Sequence, residues 1–128
     1  MIDVNQFKRV NDLLGHPTGD ALLRQVAEAL RGQLRHADIV ARYGGDEFII
    51  ALPEATIAQA SAVAEKLREL DINGPWSAHP HIGPARLSVG VGTISRQDSS
   101  EAVIQEADAD LYATRRVARS FLAEADAS

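Results

Sequence analysis

Phe7, Val10, Asn11 and Leu14 recur at helical spacing, and the pattern stops at Gly15-His16-Pro17, which predicts a short first helix. A second stripe, Leu22, Leu23, Val26, Ala27, Leu30 and Leu34, predicts a helix from about Asp20 to Arg35. Asp20 then sits at the end where the helix dipole favours an acid. Two β-type runs follow, Ile39 to Tyr43 and Phe48 to Leu52, separated by Gly44-Gly45-Asp46-Glu47. Paired glycines between apolar runs predict a hairpin turn, because glycine adopts positive φ without strain. Pro53 ends the hairpin, and Thr56-Ile57-Ala58-Gln59 has the spacing of a capping box opening a third helix toward Leu70. Residues 71–86 hold three Pro, two Gly, two His and the only Trp, and read as a loop with a short irregular hairpin at Asn73-Gly74. From Leu87 to Ile94, Leu87, Val89 and Val91 alternate with Ser88, Gly90 and Gly92, as in a strand approached closely on its glycine side. Asp98-Ser99-Ser100-Glu101 caps a last predicted helix reaching about Arg116, and the tail from Ala123 is expected to fray.

Helix, helix, hairpin, helix, strand, helix predicts an α/β domain, one sheet with helices packed on it. Such a sheet needs a strand leading into Asp3, yet only Met1 and Ile2 precede it. Most of a first strand is therefore expected to be missing, which would leave backbone groups unpaired. A length of 128 residues suits one domain, and 45% hydrophobic with 24% charged residues argues against intrinsic disorder. Aromatics are only 5% while Ala fills 21 positions, so the core is expected to be helix-rich and built from small side chains. A formal charge of −5 argues against a nucleic-acid coat. The absence of Cys removes disulfides, thiolate nucleophiles and Cys-based zinc sites. No apolar run approaches the ~20 residues of a membrane span and no leader precedes Asp3, so the expectation is a soluble, cytoplasmic domain.

The turn carries the candidate chemistry. Asp46 and Glu47 repel each other, and a turn does not require them. Gly44 and Gly45 would let a bulky anion reach the backbone N–H groups. Asp3 would complete an oxygen-ligand site for Mg²⁺ if its strand lay beside the hairpin, since Mg²⁺ takes one or two carboxylates with phosphate oxygens and water. On spacing alone, a solvated hairpin tip explains Asp46-Glu47 equally well.

The surrounding residues change that balance. The run from Asp3 through Phe7 and Asn11 to Asp12, then Gly15-His16, Gly19-Asp20 and Arg42-Tyr43-Gly44-Gly45-Asp46-Glu47-Phe48, closely resembles the GGDEF-domain family of diguanylate cyclases. The likeness continues through Leu52-Pro53, Ala64-Glu65, Ser88-Val89-Gly90-Val91, Ala107-Asp108 and Leu111-Tyr112, so it covers nearly the whole chain. It implies an α+β sandwich with a mostly antiparallel central sheet, similar to nucleotidyl cyclase and polymerase palm domains. It also implies condensation of two GTP into cyclic di-GMP by a homodimer, with Mg²⁺ or Mn²⁺ as cofactor. Carried over by position, Asp3, the Val4 carbonyl, Asp46 and Glu47 would hold the metal, and Asp46 would also deprotonate the 3′-hydroxyl. Asn11 and Asp20 match the pair that reads guanine, while Phe7, Gly44 and Gly45 would line the nucleotide. Arg115 and Arg119 fall where the family has a Lys and an Arg near the phosphates. Arg35 and Asp38 match its Arg-x-x-Asp inhibitory site for cyclic di-GMP.

Departures temper the likeness. Thr114-Arg115-Arg116-Val117-Ala118-Arg119 keeps charge where the family has Ala-Lys-x-x-Gly-Arg, but loses the glycine, and Asn5 replaces a second acid. The family's preceding helix and most of its first strand are missing, so this chain is expected to be a weak or inactive cyclase. The rival expectation is a catalytically silent domain that senses cyclic di-GMP or dimerises. Lys66 or Arg68 is a further candidate contact, more simply read as solvated charge. His16 is assigned to loop packing, and His79 and His81 to surface decoration.

Overall fold

A computed structural model describes residues 1–93, 101 and 104–112. Four strands form one antiparallel sheet: β1 (Ile2–Val4), β2 (Ile39–Arg42), β3 (Glu47–Ala51) and β4 (Leu87–Val89). Their spatial order is β2-β3-β1-β4. The shortest strands are also the most buried: β1 and β4 are buried at all three positions, while β2 is mostly exposed along the edge. The expected α/β class with a mostly antiparallel sheet is what the chain adopts.

Three described helices accompany the sheet, α1 (Phe7–Leu14), α2 (His16–Gly32) and α3 (Ile57–Arg68), and residues 104–112 are also helical. The apolar stripe of α2 is buried through Leu22, Leu23, Val26 and Leu30, as its spacing predicts. The helix nevertheless starts at His16 rather than Asp20 and ends at Gly32 rather than Arg35. Gly15, at φ 89°, turns the chain in a single residue from α1 into α2. Pro17 fits the first turn of α2, where no backbone N–H has an intrahelical acceptor. Residues that read as a stop signal are thus a corner between two helices. α3 opens with the predicted capping box: Gln59 N–H donates to Thr56 Oγ1 at 3.1 Å and Thr56 N–H to Gln59 Oε1 at 2.9 Å.

The 71–86 segment is more ordered than a loop. Ile72 and Ala85 exchange both backbone hydrogen bonds, and Pro75–Ala78 form a 3₁₀ turn. Within that turn the Trp76 indole is fully buried and donates to the Ile72 carbonyl at 3.0 Å. The last strand ends at Val89 rather than Ile94. A Cβ on Gly90 would collide with Ala107 O and Leu111 N and stand 2.8 Å from Leu111 Cα. The expected close approach on the glycine side is therefore helix 104–112. The predicted cap at 98–101, apart from helical residue 101, and the tail from 123 lie outside the described residues.

Candidate functional site

Strand pairing assembles the acidic end of the site. The register sets Asp3 opposite Glu47 and Ile2 opposite Phe48. Because successive side chains alternate across a sheet, Asp3 and Glu47 share one face and Ile2, Val4 and Phe48 the other. Val4 N–H donates to Asp46 O at 2.9 Å, fastening the turn to the end of β1. Asp3, Asp46 and Glu47 each offer a carboxylate oxygen within 4.8 Å of the other two. Among the described residues, no other cluster of three His, Asp or Glu side chains could hold a cation. Asp3 is only 2% exposed. Like charges 4.8 Å apart repel by about 3 kcal/mol per pair at an effective dielectric of about 20. The donor set, all oxygen and strongly anionic, fits a hard divalent cation.

The turn itself differs from its prediction. Neither Gly44 nor Gly45 has positive φ. A Cβ on Gly45 would meet nothing within 4 Å, and one on Gly44 would make only ordinary contacts with Glu47. The missing side chains leave the backbone open to approach. Tyr43 N–H and Gly44 N–H both donate to Glu47 O, at 2.9 and 3.3 Å. Arg42 donates from Nε to Gly44 O at 3.1 Å and from Nη2 to Gly45 O at 2.8 Å. No sequence signal beyond its place just before the diglycine marked Arg42 for this task.

Helix packing assembles the other end. Gly19 is buried where α2 meets α1: a Cβ there would collide with Asn11 Oδ1, lie 2.9 Å from Asn11 Cγ and 3.4 Å from Phe7 Cε2. Glycine lets the Asn11 carboxamide lie directly on α2, beside exposed Asp20. Asn11 Oδ1 is buried with no hydrogen-bond partner among the described residues. Asp20 also lines a cleft of about 460 Å³ between α2 and β2, with Leu23, Arg24, Arg42 and Phe48 on its walls. Gly19 was legible only as a glycine inside a helical stretch. Between the two ends, α1 begins at Phe7 after Gln6, which holds φ 63° and supplies no side-chain cap. The N–H groups of Phe7 and Lys8, at the start of α1, have no intrahelical acceptor and take no cap from Gln6.

The remaining candidates separate. Arg35 and Asp38 form an ion pair at 3.0 Å, with Arg35 N–H also donating to Asp38 Oδ2 at 2.7 Å and Arg35 Nη2 to Pro53 O at 3.2 Å. The guanidinium hydrogen bond holds the Asp38 carboxyl below its usual range and raises Arg35. Asn5 Oδ1 accepts from Ser88 Oγ at 2.8 Å. Arg68 is no solvated charge: it donates to Val89 O at 2.7 Å and pairs with Glu65 at 2.8 Å, joining α3 to β4. Lys66 is exposed, and His16 opens α2 exposed rather than packed in a loop. The His79 and His81 rings lie 5.8 Å apart. Arg115 and Arg119 lie outside the described residues. No described helix is long and apolar enough to cross a membrane.

The family model "Diguanylate cyclase, GGDEF domain" matches residues 1–120. Diguanylate cyclase DosC of Escherichia coli is 39% identical over 121 residues, 94% of this chain and 26% of its own length. Diguanylate cyclase DgcP of Pseudomonas aeruginosa is 34% identical over 122 residues, 95% of this chain and 18% of its own. The chain thus spans about a fifth to a quarter of these curated relatives. Among solved structures, the GGDEF domain of DgcB from Caulobacter crescentus in complex with cyclic di-GMP superposes with a TM-score of 0.73 at 28% identity. That match covers 90% of this chain and 69% of the other.

Proposed function

The chain belongs to the GGDEF family, and from that premise we propose that it binds GTP beside the Gly44-Gly45 turn and condenses two GTP into cyclic di-GMP. In each half-reaction a 3′-oxygen forms a bond to the α-phosphorus of the other nucleotide, the bond from that phosphorus to the β-phosphate bridge breaks, and pyrophosphate leaves. Two copies of the domain, each carrying one GTP, meet as a homodimer so that each 3′-hydroxyl faces the other's α-phosphate.

The supporting observation is the meeting of Asp3, Asp46 and Glu47 within 4.8 Å at one end of the sheet. These carboxylates, with the Val4 carbonyl, would hold Mg²⁺ or Mn²⁺, which when bound supplies neutralisation of phosphate charge. Asp46 stands at the turn and takes the 3′-hydroxyl proton. Asn11 and Asp20 read guanine: a carboxylate suits its N1–H and N2–H₂ donors, and a carboxamide can donate and accept. Phe7 packs beside Asn11 at the α1–α2 contact, and the Phe7 and Lys8 N–H groups at the start of α1 suit phosphate oxygens. Arg35 and Asp38 hold cyclic di-GMP as an inhibitor, a guanidinium and a carboxylate matching phosphate and guanine edges.

Incubation of the protein with GTP and Mg²⁺ tests the reading: cyclic di-GMP and pyrophosphate should accumulate in a ratio of one to two. Asp46→Asn should reduce the rate by at least about 10³-fold, as expected when a general base and charge ligand is lost together. GTP turnover unchanged in Asp46→Asn would overturn it, and cyclic di-GMP binding without any turnover would favour a silent sensor.

A further inference from the structure

We infer that Arg42 is a positioning residue that orients the turn's backbone for the nucleotide's phosphates, an inference that rests on the nucleotide reading above. Its guanidinium holds two successive carbonyls, Gly44 O and Gly45 O. In a trans peptide the C=O and the N–H of the same unit point in opposite directions. Fixing those two carbonyls therefore fixes the N–H groups of Gly45 and Asp46 pointing away from Arg42. Among the described residues, no group accepts a hydrogen bond from either amide.

The sheet register says which way that is. Arg42 is paired with Phe48, and both line the cleft against α2. Glu47 is one residue from Phe48 and paired with Asp3, so the carboxylates occupy the other face. Arg42 thus draws two carbonyl oxygens, which would repel phosphate, to the α2 face. The two freed donors turn to the carboxylate face, where a triphosphate beside Asp3, Asp46 and Glu47 would lie. Successive N–H groups aimed at one point form an anion-binding concavity. A planar fork suits the task because it reaches two carbonyls at once, whereas an ammonium is a point donor.

Amide NMR on the full chain tests this with a readout other than turnover. In the wild type, GTP with Mg²⁺ should shift the Gly45 and Asp46 amide resonances together with those of Asn11 and Asp20, while guanosine should shift only the latter pair. In Arg42→Ala the Gly45 and Asp46 shifts should vanish and GTP affinity should fall on the order of tenfold, about one charge-assisted hydrogen bond. Guanosine affinity should stay unchanged, and Arg42→Lys should be intermediate, which keeps the test alive if the alanine variant is poorly folded. Equal loss of guanosine and GTP affinity, or Gly45 and Asp46 shifts that persist in both variants, would overturn the inference. If GTP moves Asn11 and Asp20 in the wild type but not Gly45 and Asp46, the inference fails alone. If GTP moves none of the four, the nucleotide reading fails with it.

Discussion

Replacing Gly19 with alanine should separate stability from nucleotide binding, because the two effects have opposite signs. Alanine is preferred over glycine inside a helix by about 1 kcal/mol. Gly19 has no positive φ to oppose that gain. The added Cβ would overlap Asn11 Oδ1 and press on Asn11 Cγ at 2.9 Å, while Phe7 Cε2 at 3.4 Å is barely touched. The carboxamide is the movable part, so it swings away from α2. Its oxygen is buried without a partner among the described residues, and releasing such an acceptor to water recovers roughly 1 kcal/mol or more. Folding stability should therefore hold or rise, with a melting temperature unchanged or up by about 4 °C. On the role proposed for Asn11, the displaced carboxamide can no longer meet the base, and losing its hydrogen bonds should weaken GTP binding by roughly ten- to thirtyfold. Mn²⁺ binding, proposed to rest on Asp3, Asp46 and Glu47, should not change. Differential scanning fluorimetry and calorimetric titrations with GTP and Mn²⁺ read all three quantities. A melting temperature lowered by more than about 8 °C would show that backbone, not Asn11, absorbs the strain. Undiminished GTP affinity would refute the role given to Asn11.

Gly90→Ala meets backbone instead of a side chain, Ala107 O and Leu111 N and Cα, and helix 104–112 must retreat. The expected cost is about 3 kcal/mol, a melting temperature lower by roughly 10 °C in a thermal scan; a change under about 2 °C would refute the close contact. For Asp38, the Arg35 hydrogen bond lowers the carboxyl pKa from its ordinary 3.8. The stabilisation is therefore present at neutral pH and lost only as pH falls through that lowered value. A ¹³C titration of the Asp38 carboxyl should show a midpoint below 3.8 that rises in Arg35→Ala; an unmoved midpoint would exclude the pairing.

What could be read from the residues depended on whether a contact is local. The capping box at Thr56 and Gln59, the α2 stripe and the two hairpin strands are set within a few neighbours, and each formed close to where it was expected. Gly15-His16-Pro17 misled because the same three residues suit a break or a one-residue corner, and the packing of α1 on α2 decides between them. Trp76 lay hidden in a Pro-rich stretch because its burial depends on the Ile72–Ala85 bridge closing beneath it. In the site, the carboxylates were legible as acids with no structural reason to sit on a turn. Gly19 and Arg42 were not, since one acts through a helix eight residues upstream and the other through backbone carbonyls. Arg68, read as solvated charge, is claimed by Val89 O, 21 residues away.

The carboxylate end draws its accuracy from a strand of only three residues. β1 is paired on both sides, to β3 and β4, so its register is set twice. A slip of one residue would turn Asp3 to the face now occupied by Ile2 and Val4 and bring those side chains to the other. That slip would place a carboxylate in the core against Leu22 and Val26, so burial of apolar neighbours holds the acid in place. An acid at 2% exposure between Ile2 and Val4 is a local conflict in an otherwise apolar strand, and such conflicts concentrate where function needs them. The end at Asn11 is fixed differently, by its carboxamide packed directly on α2 at Gly19. One end is therefore held by a hydrogen-bonded ladder and the other by packing, and Arg42, reaching from the cleft wall, holds the turn at Gly44 and Gly45.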